Sequence, residues 1–324
     1  MAGLNGGIIG KDNTPENQVV PETITTFNSS GTLTLQPTTS QVDYLVIAGG
    51  GGGGRGANFG GGGGAAGGYR TGTSFPVSGP TIPVTVGAGG SAQSLPSPPY
   101  ANHGTDGSDS IFSTITSDGG GGGGGYYGKP GRDGGSGGGG AGGPGTKPGG
   151  SGNTPPTSPA QGNNGGAGST TPTFSGQGRG GGGGGSSSAG IQGSLPTSNS
   201  GNGGDGTASS ITGSSVTRAG GGGGAGQGSS TNAPGGFTPN AVGGPGGGGN
   251  GENRANLPTT GAATSGTVNT GSGGGGANVG TAGNAGSGVV IIKEPASSQL
   301  INTSGMWSMD AVYTAVKGSN WTNA

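Results

Sequence analysis

The chain has 324 residues, of which 95 are glycine and 22 proline, and only 24% are hydrophobic. That is too little apolar material for the large core a chain of this length normally buries. Only 7% of residues are charged and the formal net charge is -1, which is unlike the high charge of most disordered chains and argues against a nucleic-acid surface.

Residues 1–22 are polar and turn-rich around one apolar pair, Ile8-Ile9. They read as an N-terminal anchor or assembly peptide, with a frayed terminus as the plain alternative. The opening Met1-Ala2-Gly3-Leu4 begins neither a signal peptide nor a myristoylation site. Stretches 23–27, 32–35 and 42–48 are rich in β-branched and apolar residues and are expected to be strands, with Asn28-Ser29-Ser30-Gly31 as a turn. Tyr44-Leu45-Val46-Ile47-Ala48 is continuously apolar, as in a strand buried on both faces. Residues 81–87 alternate Ile82, Val84 and Val86 and form another strand candidate. Val289-Val290-Ile291-Ile292 is the second fully apolar run and is expected in the same sheet as 44–48.

Between these runs the chain is organised by glycine. Tracts of four or more occupy 49–54, 60–64, 119–125, 137–140, 180–185, 220–224, 246–249 and 273–276. Collagen needs glycine at every third residue, and the tracts break that period. A flexible linker array does not explain why tracts recur between segments of different composition. The remaining candidate is an extended three-fold helix of the polyproline II type, which has no internal hydrogen bonds. Its outward N–H and C=O groups need partners when buried, and glycine lets neighbouring helices approach closely enough to supply them. The expected fold is therefore mostly β and irregular: a small β-sheet plus a bundle of packed polyglycine II helices joined by loops. Gly49, Gly52, Gly122, Gly182, Gly222, Gly248 and Gly274 represent the scaffold positions.

A weak repeat lies inside this region. Asp106-Gly107 and Asp205-Gly206 each precede a Ser/Thr stretch ending in an apolar residue, then a glycine tract. The Asp-Gly pairs read as turns whose carboxylates bond local backbone N–H groups, and not as calcium ligands, because EF-hand spacing is missing. Stretches 91–117, 150–178, 186–218, 229–242 and 252–270 are rich in Ser, Thr, Asn and Pro and read as loops. Arg179 and Arg218 each stand just before a tract and are expected to bond carbonyls at its end. At the C-terminus Ser308 caps a short α-helix over 309–317. Met309, Val312, Tyr313 and Val316 line its apolar face, and Trp307 pairs with Val312 as a hydrophobic staple.

No catalytic constellation emerges. There is one histidine, His103, no cysteine, no P-loop and no evident carboxylate couple. No metal site or cofactor is expected, and no apolar stretch approaches membrane-spanning length. Binding is the better expectation. Tyr100, His103, Tyr126, Tyr127, Phe174 and Phe237 lie in or beside the loops and are candidates for receptor contact; plugging gaps at the bundle ends is the alternative role for the aromatics. Phe112 is expected to be buried.

The run Val42-Asp43-Tyr44-Leu45-Val46-Ile47-Ala48 before the first tract, then Gly67-Gly68-Tyr69-Arg70, then Val84-Thr85-Val86-Gly87-Ala88-Gly89-Gly90, resembles the glycine-rich domain of tailed-phage fibre proteins. Gly286-Ser287-Gly288-Val289-Val290-Ile291-Ile292 fits the end of that domain. The opening Gly6-Gly7-Ile8-Ile9-Gly10-Lys11-Asp12-Asn13-Thr14-Pro15 resembles the N-termini of virion structural proteins of marine phages and cyanophages. The ending Ser304-Gly305-Met306-Trp307-Ser308-Met309, followed by Ala311-Val312-Tyr313, resembles C-termini of the same group. The resemblance implies a virion protein, made in the host cytoplasm, whose polyglycine II sandwich carries loops that contact a host-surface receptor, protein or glycan. Other virion proteins and sister subunits would be its partners, without nucleic acid or membrane insertion. A purely structural appendage or capsid-decoration protein is the alternative. Three parts follow: 1–22 for anchoring, 23–293 as the glycine-rich domain, and 294–324 as a helix-containing assembly segment that, with Ile8 and Ile9, supplies the assembly contacts.

Overall fold

The structure, a computed structural model, describes residues 16–56, 59–93, 103–126, 128–145, 147–169, 178–194, 200–227, 241–254 and 261–301. It is a β-protein of several small sheets, with no helix among the described residues. The expected C-terminal helix over 309–317 lies outside them.

The strands are β1 (Glu16–Val20), β2 (Thr23–Phe27), β3 (Gly31–Thr34), β4 (Gln41–Ile47), β5 (Tyr69–Pro76), β6 (Thr81–Thr85), β7 (Ser110–Phe112) and β8 (Ile115–Ser117). Later come β9 (Thr207–Ser209), β10 (Val216–Arg218), β11 (Gly226–Gln227), β12 (Asn253–Arg254), β13 (Val289–Glu294) and β14 (Ser297–Ile301). One four-stranded antiparallel sheet runs β2-β13-β4-β5, and a second runs β3-β6-β7-β8. As the two apolar runs suggested, β4 and β13 are central neighbours, with Val290 opposite Val46 and Ile291 opposite Leu45.

Both faces of that central pair are covered, which is why their sequences do not alternate. Val42, Tyr44, Val46, Val290 and Ile292 face the second sheet and pack with Leu33, Ile82, Val84 and Phe112. Leu45, Ile47, Val289 and Ile291 face the other way, onto Ala66 and Ala219, with Tyr69 and Ile211 alongside. Phe112 is fully buried, its ring 6.0 Å from Phe75 and 6.4 Å from Tyr44. The ribbon β1–β14 continues the β2–β13 pairing in the same register: Phe27 opposes Val290, Thr23 opposes Glu294, Val20 opposes Ser297 and Glu16 opposes Ile301.

The strands feed directly into glycine. β4 leads into 49–54, β8 into 119–125 and β10 into 220–224, while 60–68 leads back into β5 and 282–288 into β13. The excursion from Gly49 to Gly288 is thus broken by returns to the sheets at β5–β10. Its glycine segments form no ladder of strands, yet their backbones bond one another throughout. Gly49 and Gly52 donate to Ser108 and Thr105, Gly50 and Gly53 to Gly286 and Gly283, and Gly51 and Gly54 to Ala65 and Gly62. Their carbonyls accept in the same rhythm: Gly49 and Gly52 from Gly120 and Gly123, Gly50 and Gly53 from Gly90 and Gln93, Gly51 and Gly54 from Gly274 and Ala277. Every third residue therefore addresses the same neighbour, and one tract is enclosed by six.

Followed through the chain, these bonds arrange the described segments in five rows. The first holds 87–93 and 103–109. The second holds 282–288, 48–55, 118–125 and 129–135. The third holds 264–268, 271–278, 60–68, 136–142 and 147–152. The fourth holds 247–252, 219–226, 178–186 and 161–169, and the fifth 241–245, 200–206 and 188–193. Segment 60–68 is central, and its six neighbours are 48–55, 118–125, 136–142, 178–186, 219–226 and 271–278.

Seven of the eight long tracts fall in these seven inner segments. The eighth, 246–249, lies on the outside and opens with a turn at Gly246 and Gly247, whose φ angles are 101° and 102°. Much of what reads as loop belongs to the outer segments. Stretches 103–109, 161–169, 188–193, 200–206, 241–245 and 264–268 are bonded into the bundle, and 91–117 also contains the β7–β8 hairpin. Most of their Ser, Thr and Asn residues are exposed or half-buried, Ser169 and Ser200 being buried exceptions, a pattern that composition alone cannot separate from a loop.

Candidate functional site

The candidate contacts divide between the two ends of the bundle. The two four-stranded sheets close one end. At the other lie Gln93, Ser169, Gly201 and Ala241. The bonds fix these positions. Gln93 donates to Gly53, Ser169 to Arg179, Gly201 to Gly180 and Gly251 to Ala241, all in the bundle half remote from the four-stranded sheets. Tyr100, Tyr127, Phe174 and Phe237 lie outside the described residues, as do Ile8, Ile9, Trp307, Met309, Val312, Tyr313 and Val316. Tyr126 is half-buried at the remote end of segment 118–125, and His103 is half-buried at the remote end of 103–109. These two are thus brought to one end of the bundle.

The scaffold glycines have no room for a side chain. A Cβ would stand 2.0 Å from a backbone carbonyl oxygen at Gly49, Gly52 and Gly274, 1.9 Å at Gly122 and Gly182, and 2.1 Å at Gly222 and Gly248. Such approaches are far inside van der Waals contact, so the close packing depends on the missing Cβ.

The first row has two described segments, and the corner beside it has none among the described residues. There, between 103–109 and 129–135, side chains stand where a neighbouring backbone would be. Asp109 Oδ1 accepts the Gly119 N–H at 2.8 Å, and three residues along Asp106 Oδ1 accepts the Gly122 N–H at 2.9 Å. Asp106 Oδ2 also takes Arg132, from Nε at 2.9 Å and Nη2 at 2.6 Å. The expectation of local Asp-Gly turns is corrected: these carboxylates reach the next tract, because its outer N–H groups lack a backbone acceptor.

His103 occupies the following step of the same face. Burial holds its pKa below the ordinary histidine value, and the nearby Arg132 and Lys129 charges act in the same direction. Its Nδ1 is buried without a hydrogen-bond partner among the described residues.

Similar caps recur around the bundle. Asn164 accepts the Gly152 N–H, Asn202 that of Val242, Asn250 that of Gly243 and Asn284 that of Ala92. Arg55, which follows the first tract, bonds carbonyls of the 271–280 stretch. Arg55 donates Nε to Gly280 O at 2.9 Å and Nη2 to Val279 O at 2.6 Å. Arg179 is buried before its tract, and burial lowers its pKa. Arg218 lies near the Tyr69 phenol. Position next to a tract is the signal that could have found Arg55. Among the described residues no group of three or more His, Asp and Glu could hold a metal ion.

These features define a class: a β-framed domain whose interior is glycine backbone, bonded to itself and capped by polar side chains. The chain belongs to the glycine-rich domain family, whose sequence model matches residues 25–294. The match begins in β2 and ends with β13, the strand paired with it. No curated protein matches the chain in sequence.

Proposed function

We propose that this chain is a non-catalytic fibre or adhesin protein of a phage virion, in which packed polyglycine II helices hold recognition loops still. The helical reading is supported by the three-residue rhythm of the bonds from 49–54, since a polyglycine II helix has three residues per turn and no internal bonds. At about 3.1 Å per residue, a seven-residue segment spans roughly 20 Å.

The observation that carries the function is polarity. The ribbon β1–β14 brings Glu16 and Ile301 out together on the side of the four-stranded sheets, whereas Tyr126 and His103 stand at the remote end. Residues 1–22 and 294–324 would anchor the protein to other virion proteins and sister subunits. The candidates Tyr100, Tyr126, Tyr127, Phe174, Phe237 and His103 would meet the host-surface receptor at the opposite end. Loops on a rigid support are where recognition usually resides.

The test is adsorption of the phage to its host cells with excess purified protein present. Dose-dependent inhibition is expected. Undiminished adsorption would overturn the receptor role and favour a structural appendage or capsid decoration.

A further inference from the structure

The five rows contain two, four, five, four and three segments. A complete hexagon about segment 60–68 would have three in the first row, so the described residues leave one corner place unfilled, over 118–125 and between 103–109 and 129–135. We propose that this corner is a docking surface for one extended, glycine-bearing strand, and that the strand is residues 3–10 of a second copy of the chain. The proposal rests on reading the segments as polyglycine II strands and is independent of any receptor.

Three observations converge on it. First, the corner has the chemistry of a strand site. The Gly119 and Gly122 N–H groups point into it and are held by side-chain carboxylates in place of carbonyls. An incoming strand with carbonyls at every third residue matches that row.

Second, the present lid is weakly held. The Asp106–Arg132 pair is half-exposed, and exposed ion pairs hold their partners only loosely. Third, outer segments carry a recognisable spacing. Glycine recurs every third residue at 104 and 107, at 128, 131 and 134, at 162, 165 and 168, and at 280, 283 and 286. Gly3 and Gly6, then Gly7 and Gly10, repeat it.

Reach argues for a second copy. Gly10 is six residues before Glu16, a span of at most about 21 Å. Glu16 is paired with Ile301, and the ribbon from Val289 to Ile301 is about 40 Å long. A straight ribbon leaves a chain's own 3–10 stretch short of its own corner.

The chain has no cysteine, so an introduced pair is unambiguous. Full-length Ile8→Cys and Asp106→Cys chains would be mixed and mildly oxidised, with Asn202→Cys in place of Asp106→Cys as the control on another face. The Ile8–Asp106 mixture should give at least fivefold more cross-linked dimer than the control, and adding Gly6→Val to the Ile8→Cys chain should remove the excess. No excess over the control, with both variants folded by thermal melting, would overturn the proposal. So would preferential cross-linking within one chain of the double variant at high dilution. Loss of melting cooperativity in unsubstituted protein would instead indict the packed-strand reading itself.

Discussion

Ser110 donates its hydroxyl to the carbonyl of Ile47 at 2.9 Å, and the same oxygen accepts the Gly87 N–H at 2.9 Å. The serine is fully buried at the junction where two sheets become glycine backbone. It completes the bonding that neither a strand nor a tract can supply there.

Replacing it by alanine removes both bonds at once. Leaving buried groups unsatisfied costs about 1–3 kcal/mol each, so Ser110→Ala should lose about 2–4 kcal/mol in urea titration. Unchanged stability would mean that water replaces the hydroxyl.

Gly122→Val places a Cβ 1.9 Å from the Gly104 oxygen, with backbone on both sides. Neither partner can turn away as a side chain would. A loss above about 4 kcal/mol, or insoluble protein, is expected. Gly79→Ala is the contrasting case. Nothing lies within 4 Å of its Cβ, but its φ is +89°, so only backbone strain remains, about 1–3 kcal/mol. Thermal melts of the two variants separate close approach from strain.

Phe112→Ala removes the ring that touches Tyr44 and Phe75 between the sheets. Its cost should be about 3–5 kcal/mol. Phe112→Leu should retain most of the stability.

Two groups should shape the dependence on pH in opposite senses. Burial raises the Asp118 pKa, Asp109 adds to the rise, and the bond from Gln161 Nε2 at 2.6 Å opposes it. A raised carboxyl contributes stability at low pH, which is lost as pH rises through its folded value. Asp118→Asn, which keeps an acceptor for Gln161, should therefore match or exceed wild type in Tm at pH 7 and lose that advantage near pH 3. The lowered pKa of His103 works the other way. Its contribution is present above the ordinary histidine value and is lost as pH falls through the folded one. His103→Gln should flatten the decline in Tm below pH 6.5.

The legible parts of the fold were those that announce themselves through local composition. Tyr44–Ala48 and Val289–Ile292 read as doubly buried strands because every residue is apolar, and they pair. Inner segments read as tracts because nearly every position in them packs against neighbouring backbone, so glycine is needed at each. Outer segments escaped because only one or two faces are packed. Gly104 and Gly107 turn inward while Thr105, Asp106, Ser108 and Asp109 turn out, and the result resembles a loop. β5 escaped for a related reason: Tyr69–Pro76 is mostly exposed or half-buried and lacks apolar alternation. The corner cap was illegible because it joins Asp106 to Gly122 across a distance in sequence that only the row order explains.

An interior of peptide groups also changes how the protein should respond to temperature. Exposing apolar surface raises heat capacity, whereas exposing polar surface lowers it. Unfolding segment 60–68 and its six neighbours uncovers mostly amides, with little hydrocarbon outside the two sheet clusters. The heat-capacity increment should fall well below the usual 12–15 cal/mol/K per residue, so the stability curve should be flat and resist cold as well as heat.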